Sequence, residues 1–356
     1  MSTKPILIYG AYGYSGRLAL EHAVSLGLDV IAGGRDQAQT REVAQTFGTP
    51  FQVFSVDDRA ALRHALEQCS VILNCAGPFV YTAEPIVREC LDLGVHYLDI
   101  TGELEVIESL AQKDESAKKA GVTLLPAAGF DVVPTDCMAA YLKQKLPDAT
   151  HLDLAFHASG GLSHGTAQTM VESLGAPSAS RKDGKIVEEP LGARTMDVPF
   201  GPKTRRVISI PWGDVASAYY TTGIPNVRTY TTVSPRAAAV VSKTQALHGL
   251  LGVKPLRKVA KRLVNARITG PDSATRERGY AIVWGRATNA QGTTVEANLT
   301  TIETYTLTYR TSVDLARRAQ AGELPTGYQT PAGALGADYV LMLENTAFQD
   351  LSSTSS

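Results

Sequence analysis

The chain has 356 residues, a formal net charge of −1 and an apolar fraction of 44%. That length suffices for two lobes of ordinary domain size, and the near-neutral balance excludes nucleic acid as the main partner, since such surfaces carry a clear basic excess. The four cysteines (Cys69, Cys75, Cys90, Cys137) form no C-x-x-C pair and no metal-ligand spacing, which fits reduced thiols, a cytoplasmic setting and no metal.

The amino terminus MSTKPILIYG enters a strand at once, with no basic leader or cleavage site, so no signal peptide is expected. No uncharged apolar run has the length of a bilayer span. Ile6–Tyr9 reads as a buried strand and Arg17–Val24 as a helix. Between them Gly10, Gly13 and Gly16 stand three apart. On a strand-to-helix turn, Gly10 permits the tight turn, Gly13 lets backbone approach a pyrophosphate, and Gly16 lets the helix pack on the strand. The helix start then offers free N–H groups and a positive dipole end to phosphate. Gly10, Tyr12, Gly13, Tyr14, Ser15 and Gly16 are therefore candidate cofactor contacts, with a plain tight turn as the simpler alternative.

The second strand, Leu28–Asp36, ends where an NAD-binding fold puts an acid on the ribose hydroxyls. Gly34 and Arg35 occupy that place. An acid repels a 2′-phosphate and an arginine fork attracts it, so Arg35 points to NADP(H), while Asp36 keeps NAD(H) open. Pro50–Asp58 is a third strand whose terminal acids, Asp57 among them, would border the adenine. Ser70–Phe79 is the fourth, closed by Asn74, Ala76, Gly77 and Pro78 where the nicotinamide half is expected. His96–Glu103 and Gly121–Phe130 follow, with helical segments at 61–69, 84–94 and 109–121. Strands alternating with helices imply a parallel sheet wound on both faces, with ligands at the strand carboxyl ends.

After Phe130 the texture changes. Segments 151–159, 205–214, 226–234, 280–289 and 293–302 are strand-like, and Asn289–Gly292 reads as a hairpin turn. The expected fold class is α/β: a Rossmann-like doubly wound parallel sheet with an inserted α+β substrate lobe built on a largely antiparallel sheet. Residues 1–130 form the NADP-binding lobe, completed by 303–350, and 131–302 form the substrate or catalytic lobe.

The motifs GAYGYSGRL (10–18), NCAGPF (74–79), YLDITGE (97–103), GFDVVPTD (129–136) and GGLSHGT (160–166) resemble the saccharopine dehydrogenase-like oxidoreductases. GPDSATRERGYAIVWGRATNAQG (270–292) and GYQTPAGALGADYVL (327–341) resemble its trans-acting enoyl reductase branch. The resemblance spans nearly the whole chain. It implies an NADPH-dependent oxidoreductase that reduces the C=C bond of an α,β-unsaturated acyl substrate, carrier- or CoA-bound, in trans to a partner synthase. One alternative is an imine or opine-type C=N reductase, in which Asp99 or Glu103 meets a substrate ammonium. Another is a non-catalytic NADP(H)-sensing protein, which binds the nucleotide without turnover.

Hydride delivery to a polarised C=C bond needs a donor for the enolate oxygen and a proton source. GGLSHGT follows a strand and precedes a helical run, so it offers Ser163, His164 and Thr166, and His164 titrates near neutral pH. A Ser/Thr helix cap beside an incidental histidine is the simpler reading. Tyr81, just after GPF, is either a proton donor or a wall of the ring pocket. Tyr81, Ser163 and His164 are thus the catalytic candidates. Glu103 otherwise reads as a helix-start charge, and Asp131 and Asp136 as structural groups. Tyr141 and Lys145 match Y-x-x-x-K but lack the accompanying serine, and they read as helical spacing. Lys254, Arg257, Lys258, Lys261 and Arg262 form a basic face. It is either solvated or a dock for an acyl carrier protein, a CoA phosphate or an anionic surface. A homodimer is left open.

Overall fold

The computed structural model describes residues 4–161, 163, 177–233 and 270–351. The chain divides into two compact units, Met1–Asp131 with Tyr305–Ala334, and Val132–Thr304 with Leu335–Ser356.

In the first unit, strands β1 (Ile6–Tyr9), β2 (Val30–Gly34), β3 (Phe51–Val53), β4 (Val71–Asn74), β5 (His96–Asp99) and β6 (Thr123–Leu125) alternate with helices. These are α1 (Tyr14–Ser25), α2 (Gln37–Phe47), α3 (Arg59–Leu66), α4 (Phe79–Leu93), α5 (Leu104–Ala111) and α6 (Asp114–Ala120). Every residue of β1, β2 and β4 is buried, the pattern of strands covered on both faces. Leu7, Ile72, Tyr97 and Leu124 from the strands pack with Leu62, Ile86, Val87 and Leu110 from the helices. All of this unit's expected strands after the first are shorter than the segments that predicted them, and two show why. Asp58 leaves the third to cap α3, accepting the Ala61 N–H at 3.0 Å, and Phe79 leaves the fourth to begin α4.

A returning segment completes this sheet. Its helix spans Thr304–Gln320, and β15 (Gly327–Tyr328) pairs with β6 as a seventh strand. The order is β15-β6-β5-β4-β1-β2-β3, with every pairing parallel. Thr308 and Thr311 tie the helix to the segment after β6. The Phe130 N–H donates to Thr308 Oγ1 at 3.0 Å, and the Thr311 hydroxyl donates to the Ala128 carbonyl at 2.8 Å.

The second unit holds α7 (Val133–Lys145), α8 (Asp214–Thr222) and α9 (Ser273–Arg278). Its strands are β7 (Ala149–Ala158), β8 (Ser178–Lys182), β9 (Lys185–Glu189), β10 (Thr195–Phe200), β11 (Lys203–Ile210), β12 (Asn226–Thr232), β13 (Tyr280–Asn289), β14 (Thr294–Ile302) and β16 (Ala347–Asp350). They form a mixed sheet with the order β10-β11-β12-β7-β13-β14-β16, in which only the β12–β7 pair is parallel among the described residues. The turn between β13 and β14 is a hairpin, its Asn289 Oδ1 accepting the N–H groups of Gln291 at 3.1 Å and Thr293 at 2.9 Å. One face packs on α7, where Leu142 and Met138 lie against Gly285. Trp284, Phe200, Tyr230 and Val207 fill the core of the other.

The sequence assigns 303–350 to the first lobe, and here the structure corrects it. Residues 335–351 belong to the second unit, because β16 pairs with β14. The Tyr141/Lys145 pair has a role in this. Tyr141 stacks on Phe348 at 4.1 Å, and the Tyr141 hydroxyl and the Lys145 ammonium both donate to Asp350. The pair fastens the last strand to α7.

Candidate functional site

In the first unit β1 lies between β4 and β2, so the chain departs to opposite sides of β1. Open α/β sheets bind ligands at the strand carboxyl ends beside such a switch point. Gly10 leaves β1 with φ 81°, and its N–H donates to the Gly33 carbonyl at 2.9 Å. Gly13 is the N-cap of α1 and no side chain caps that helix, so phosphate can take the first-turn N–H groups. A Cβ at Gly16 would overlap the Gly10 carbonyl oxygen. We expect Gly16→Ala to destabilise the fold by about 1–3 kcal/mol and to weaken NADPH binding, both read from thermal melts with and without the nucleotide.

The far end of β2 is shaped for a substituent without a neighbouring side chain. A Cβ at Gly34 would lie 2.6 Å from Tyr12 Cε1 and 2.6 Å from Thr40 Oγ1. The position that carries a ribose-binding acid in NAD sites is therefore closed. Asp36 is engaged elsewhere, its Oδ1 accepting the Gln39 N–H at 2.9 Å as the N-cap of α2. Arg35 is exposed and forms no ion pair among the described residues. Asp57 exchanges hydrogen bonds with Ser55, both at 3.3 Å. Tyr9 reports the surrounding charges. Burial first, then Tyr12 and Asp57, push its phenol up to about 12 against the opposing pull of Arg35. Tyr12, Arg35 and Asp57 thus meet at one edge, at the carboxyl ends of β1, β2 and β3.

On the nicotinamide side Asn74 is fully buried and holds the loop through its own hydrogen bonds. Its Oδ1 accepts the Ala76 N–H at 3.0 Å. The bond between Gly77 and Pro78 is cis, and α4 begins at once. Glu103 caps that helix from outside it. Oε1 accepts the Phe79 N–H at 2.9 Å and Oε2 the Val80 N–H at 2.8 Å. Burial raises the Glu103 pKa while these bonds lower it. Glu103 thus stands at the start of α5, as expected, while its carboxylate caps α4. Tyr81 stands on the first turn of α4 with 66% of its surface exposed.

Asp131 is the group that sequence reasoning assigned to structure alone. It is half-buried, and among the described residues no hydrogen bond or ion pair reaches its carboxyl. Burial raises its pKa to about 7. It needs a neighbour without a side chain, since a Cβ at Gly102 would lie 2.9 Å from Asp131 Oδ2. The sequence signal was present in GFDVVPTD, but spacing alone does not reveal an unpaired carboxyl. Asp136, by contrast, accepts the Thr221 hydroxyl within the second unit. Ser163 also belongs to that unit and is buried, with 3% of its surface exposed. His164, Thr166 and the basic residues Lys254, Arg257, Lys258, Lys261 and Arg262 lie outside the described residues. Among the described residues no helix is long and apolar enough to cross a membrane.

The glycine turn, the closed Gly34 position and the carboxyl-end rim fit a phosphorylated dinucleotide, and comparison with known proteins agrees. Residues 6–125 match the saccharopine dehydrogenase NADP binding domain. The match identifies residues 6–125 as a domain of that NADP-binding kind. A human saccharopine dehydrogenase-like oxidoreductase is 27% identical over 56% of this chain and 52% of its own length. A Mycobacterium tuberculosis protein named as a trans-acting enoyl reductase is 26% identical over 97% of this chain and 90% of that one. The chain spans about half the length of several curated relatives it matches. Apo saccharopine dehydrogenase (L-Glu forming) from Saccharomyces cerevisiae shares the fold, with a TM-score of 0.69 at 12% identity over 98% of this chain and all of that one. The family match thus supports an NADP-binding domain in the first unit.

Proposed function

We propose that this protein is an NADPH-dependent oxidoreductase that reduces the C=C bond of an α,β-unsaturated acyl group carried on a carrier protein or CoA. One observation carries the choice over an imine substrate: the two carboxylates that would meet an ammonium are already occupied. Both oxygens of Glu103 hold the N-terminus of α4, and Asp99 is fully buried on internal donors. The long match to a relative named as a trans-acting enoyl reductase supports the same reading.

NADPH, when bound, supplies the hydride. The chain's own part is to grip the phosphates with the first-turn N–H groups of residues 14–16, to meet the 2′-phosphate with Arg35, and to provide a proton. Asp131 suits that last task. A carboxyl with a pKa near 7 is partly protonated at neutral pH, which makes it a ready donor to the α-carbon and a poor anchor for a cation. Tyr81 at the same rim is exposed enough to touch a substrate and serves as the wall of its entry.

The test is NADPH oxidation by the purified protein with enoyl thioesters in one series and keto acids plus amines in another. Turnover with the thioesters is the expected result. Turnover only with the keto acid and amine pairs overturns the proposal in favour of imine reduction.

A further inference from the structure

A chain of polar side chains joins the carboxyl ends of β4, β5 and β6 within the first unit. Asp99 is fully buried at the end of β5. Its Oδ1 accepts the N–H groups of Thr101 at 3.0 Å and Ala127 at 2.8 Å, and its Oδ2 accepts the Tyr97 hydroxyl at 2.7 Å. The Tyr97 oxygen accepts an N–H from Asn74 Nδ2 at 3.2 Å, and Asn74 Oδ1 accepts the Ala76 N–H at 3.0 Å. A second arm runs through Thr82. Its Oγ1 accepts from Asn74 Nδ2 at 3.1 Å, and its hydroxyl donates to the Ala76 carbonyl at 2.8 Å. Ala76 lies directly against the glycine turn, since a Cβ at Gly10 would be 2.9 Å from the Ala76 nitrogen. At the other end Ala127 has φ 60°, a conformation uncommon for alanine.

We propose that Asp99 is a positioning residue of the nucleotide site, setting the Cys75–Pro78 ledge against the glycine turn through Tyr97 and Asn74, and the turn after β6 through Ala127. The inference rests on the assignment of this edge to the nucleotide. A carboxylate is suited to the centre of such a device because it only accepts, and can take three converging donors at once. Buried bonds in series also reinforce one another, so loosening one relaxes the rest. Asp99 touches no ligand in this account; it acts through the backbone that does.

The experiment measures the dissociation constant for NADPH by fluorescence titration, with melting temperature in parallel, on full-length protein. Tyr97→Phe removes one hydroxyl and keeps the ring, and Thr82→Val cuts the second arm without changing shape. Each variant is expected to raise the dissociation constant about tenfold, and the double variant no more than the worse single one, because both act on Ala76. Ile86→Val, fully buried on the same α4, lowers the melting temperature without touching the chain of bonds and should leave binding unchanged. If Tyr97→Phe and Thr82→Val melt earlier yet bind NADPH within twofold of the natural protein, the polar chain merely stabilises the sheet and the inference falls. Should Tyr97→Phe fail to fold, Thr82→Val at its half-buried site decides alone. A natural protein that does not bind NADPH at all would instead remove the nucleotide-site reading itself, and this inference with it.

Discussion

Arg35→Asp is expected to weaken NADPH binding by about a hundredfold or more while leaving NADH binding unchanged or improved. The size follows from what the substitution does. It removes a charge-assisted fork and puts a carboxylate in its place, so attraction to the 2′-phosphate becomes repulsion. Gly34 admits no side chain against Tyr12 and Thr40, and Asp36 is held by the Gln39 N–H. Arg35 is exposed, so the discrimination should shrink as salt is added. The check is a pair of titrations, one per nucleotide, at two ionic strengths. Equal losses for NADPH and NADH would mean that Arg35 does not read the phosphate.

Asp131→Asn is expected to lower kcat by about two to three orders of magnitude and to make the protein more stable at pH 8. Both effects come from one property. Burial lifts the Asp131 carboxyl from its ordinary range to about 7. The folded chain therefore holds this proton more tightly than the unfolded chain does between about pH 4 and pH 7. The stability it contributes is highest below that window and is lost as pH rises through it, so the folded state carries an uncompensated carboxylate above pH 7. Asparagine removes that cost. Its melting temperature should exceed that of the natural protein by a few degrees at pH 8 and match it at pH 4. Asp99, raised by burial to about 6, tilts the stability curve in the same direction and does so in both proteins. The catalytic readout is the pH profile of kcat. The natural enzyme should lose rate above pH 7 as Asp131 gives up its proton, and the variant should show a flat, low profile. A variant that retains the natural kcat would return Asp131 to a structural role.

The largest disagreement between sequence and structure concerns carboxylates. Glu103 looked like the opening charge of the helix that follows it, and it stands there while both oxygens cap α4, whose first residues stand more than twenty positions earlier. Asp131 looked structural, and among the described residues no hydrogen bond reaches its carboxyl, whose pKa burial nevertheless raises to about 7. Asn74, expected beside the cofactor because it ends β4, is buried and bonded to Thr82, Tyr97 and Ala76. In each case the residue type and its strand-end position were legible, and the direction of the side chain was not. Direction depends on which backbone donors lie nearby, and those come from other elements. The late boundary failed for a related reason. Residues 335–350 have helical texture and a short strand, and nothing in that texture reveals that β16 pairs with β14 rather than joining the parallel sheet.

By itself the sequence determined the alternation of strands and helices through residue 130, the glycine turn after β1, and the choice of arginine over an acid after β2. Those features are periodic or local, and a run of ten to twenty residues is enough to dictate them. It also carried the strands and the β13–β14 hairpin of the second unit, since alternation and turn chemistry are local too. Only the tertiary structure decided that a side chain at Gly34 would meet Tyr12 and Thr40, that the Glu103 carboxylate caps α4, that Asp99 ties three strand ends together, and that Asp131 has no partner among the described residues. The pKa of a buried group and the partner of a polar side chain are set by atoms brought together across many residues of chain, and no window of sequence contains them.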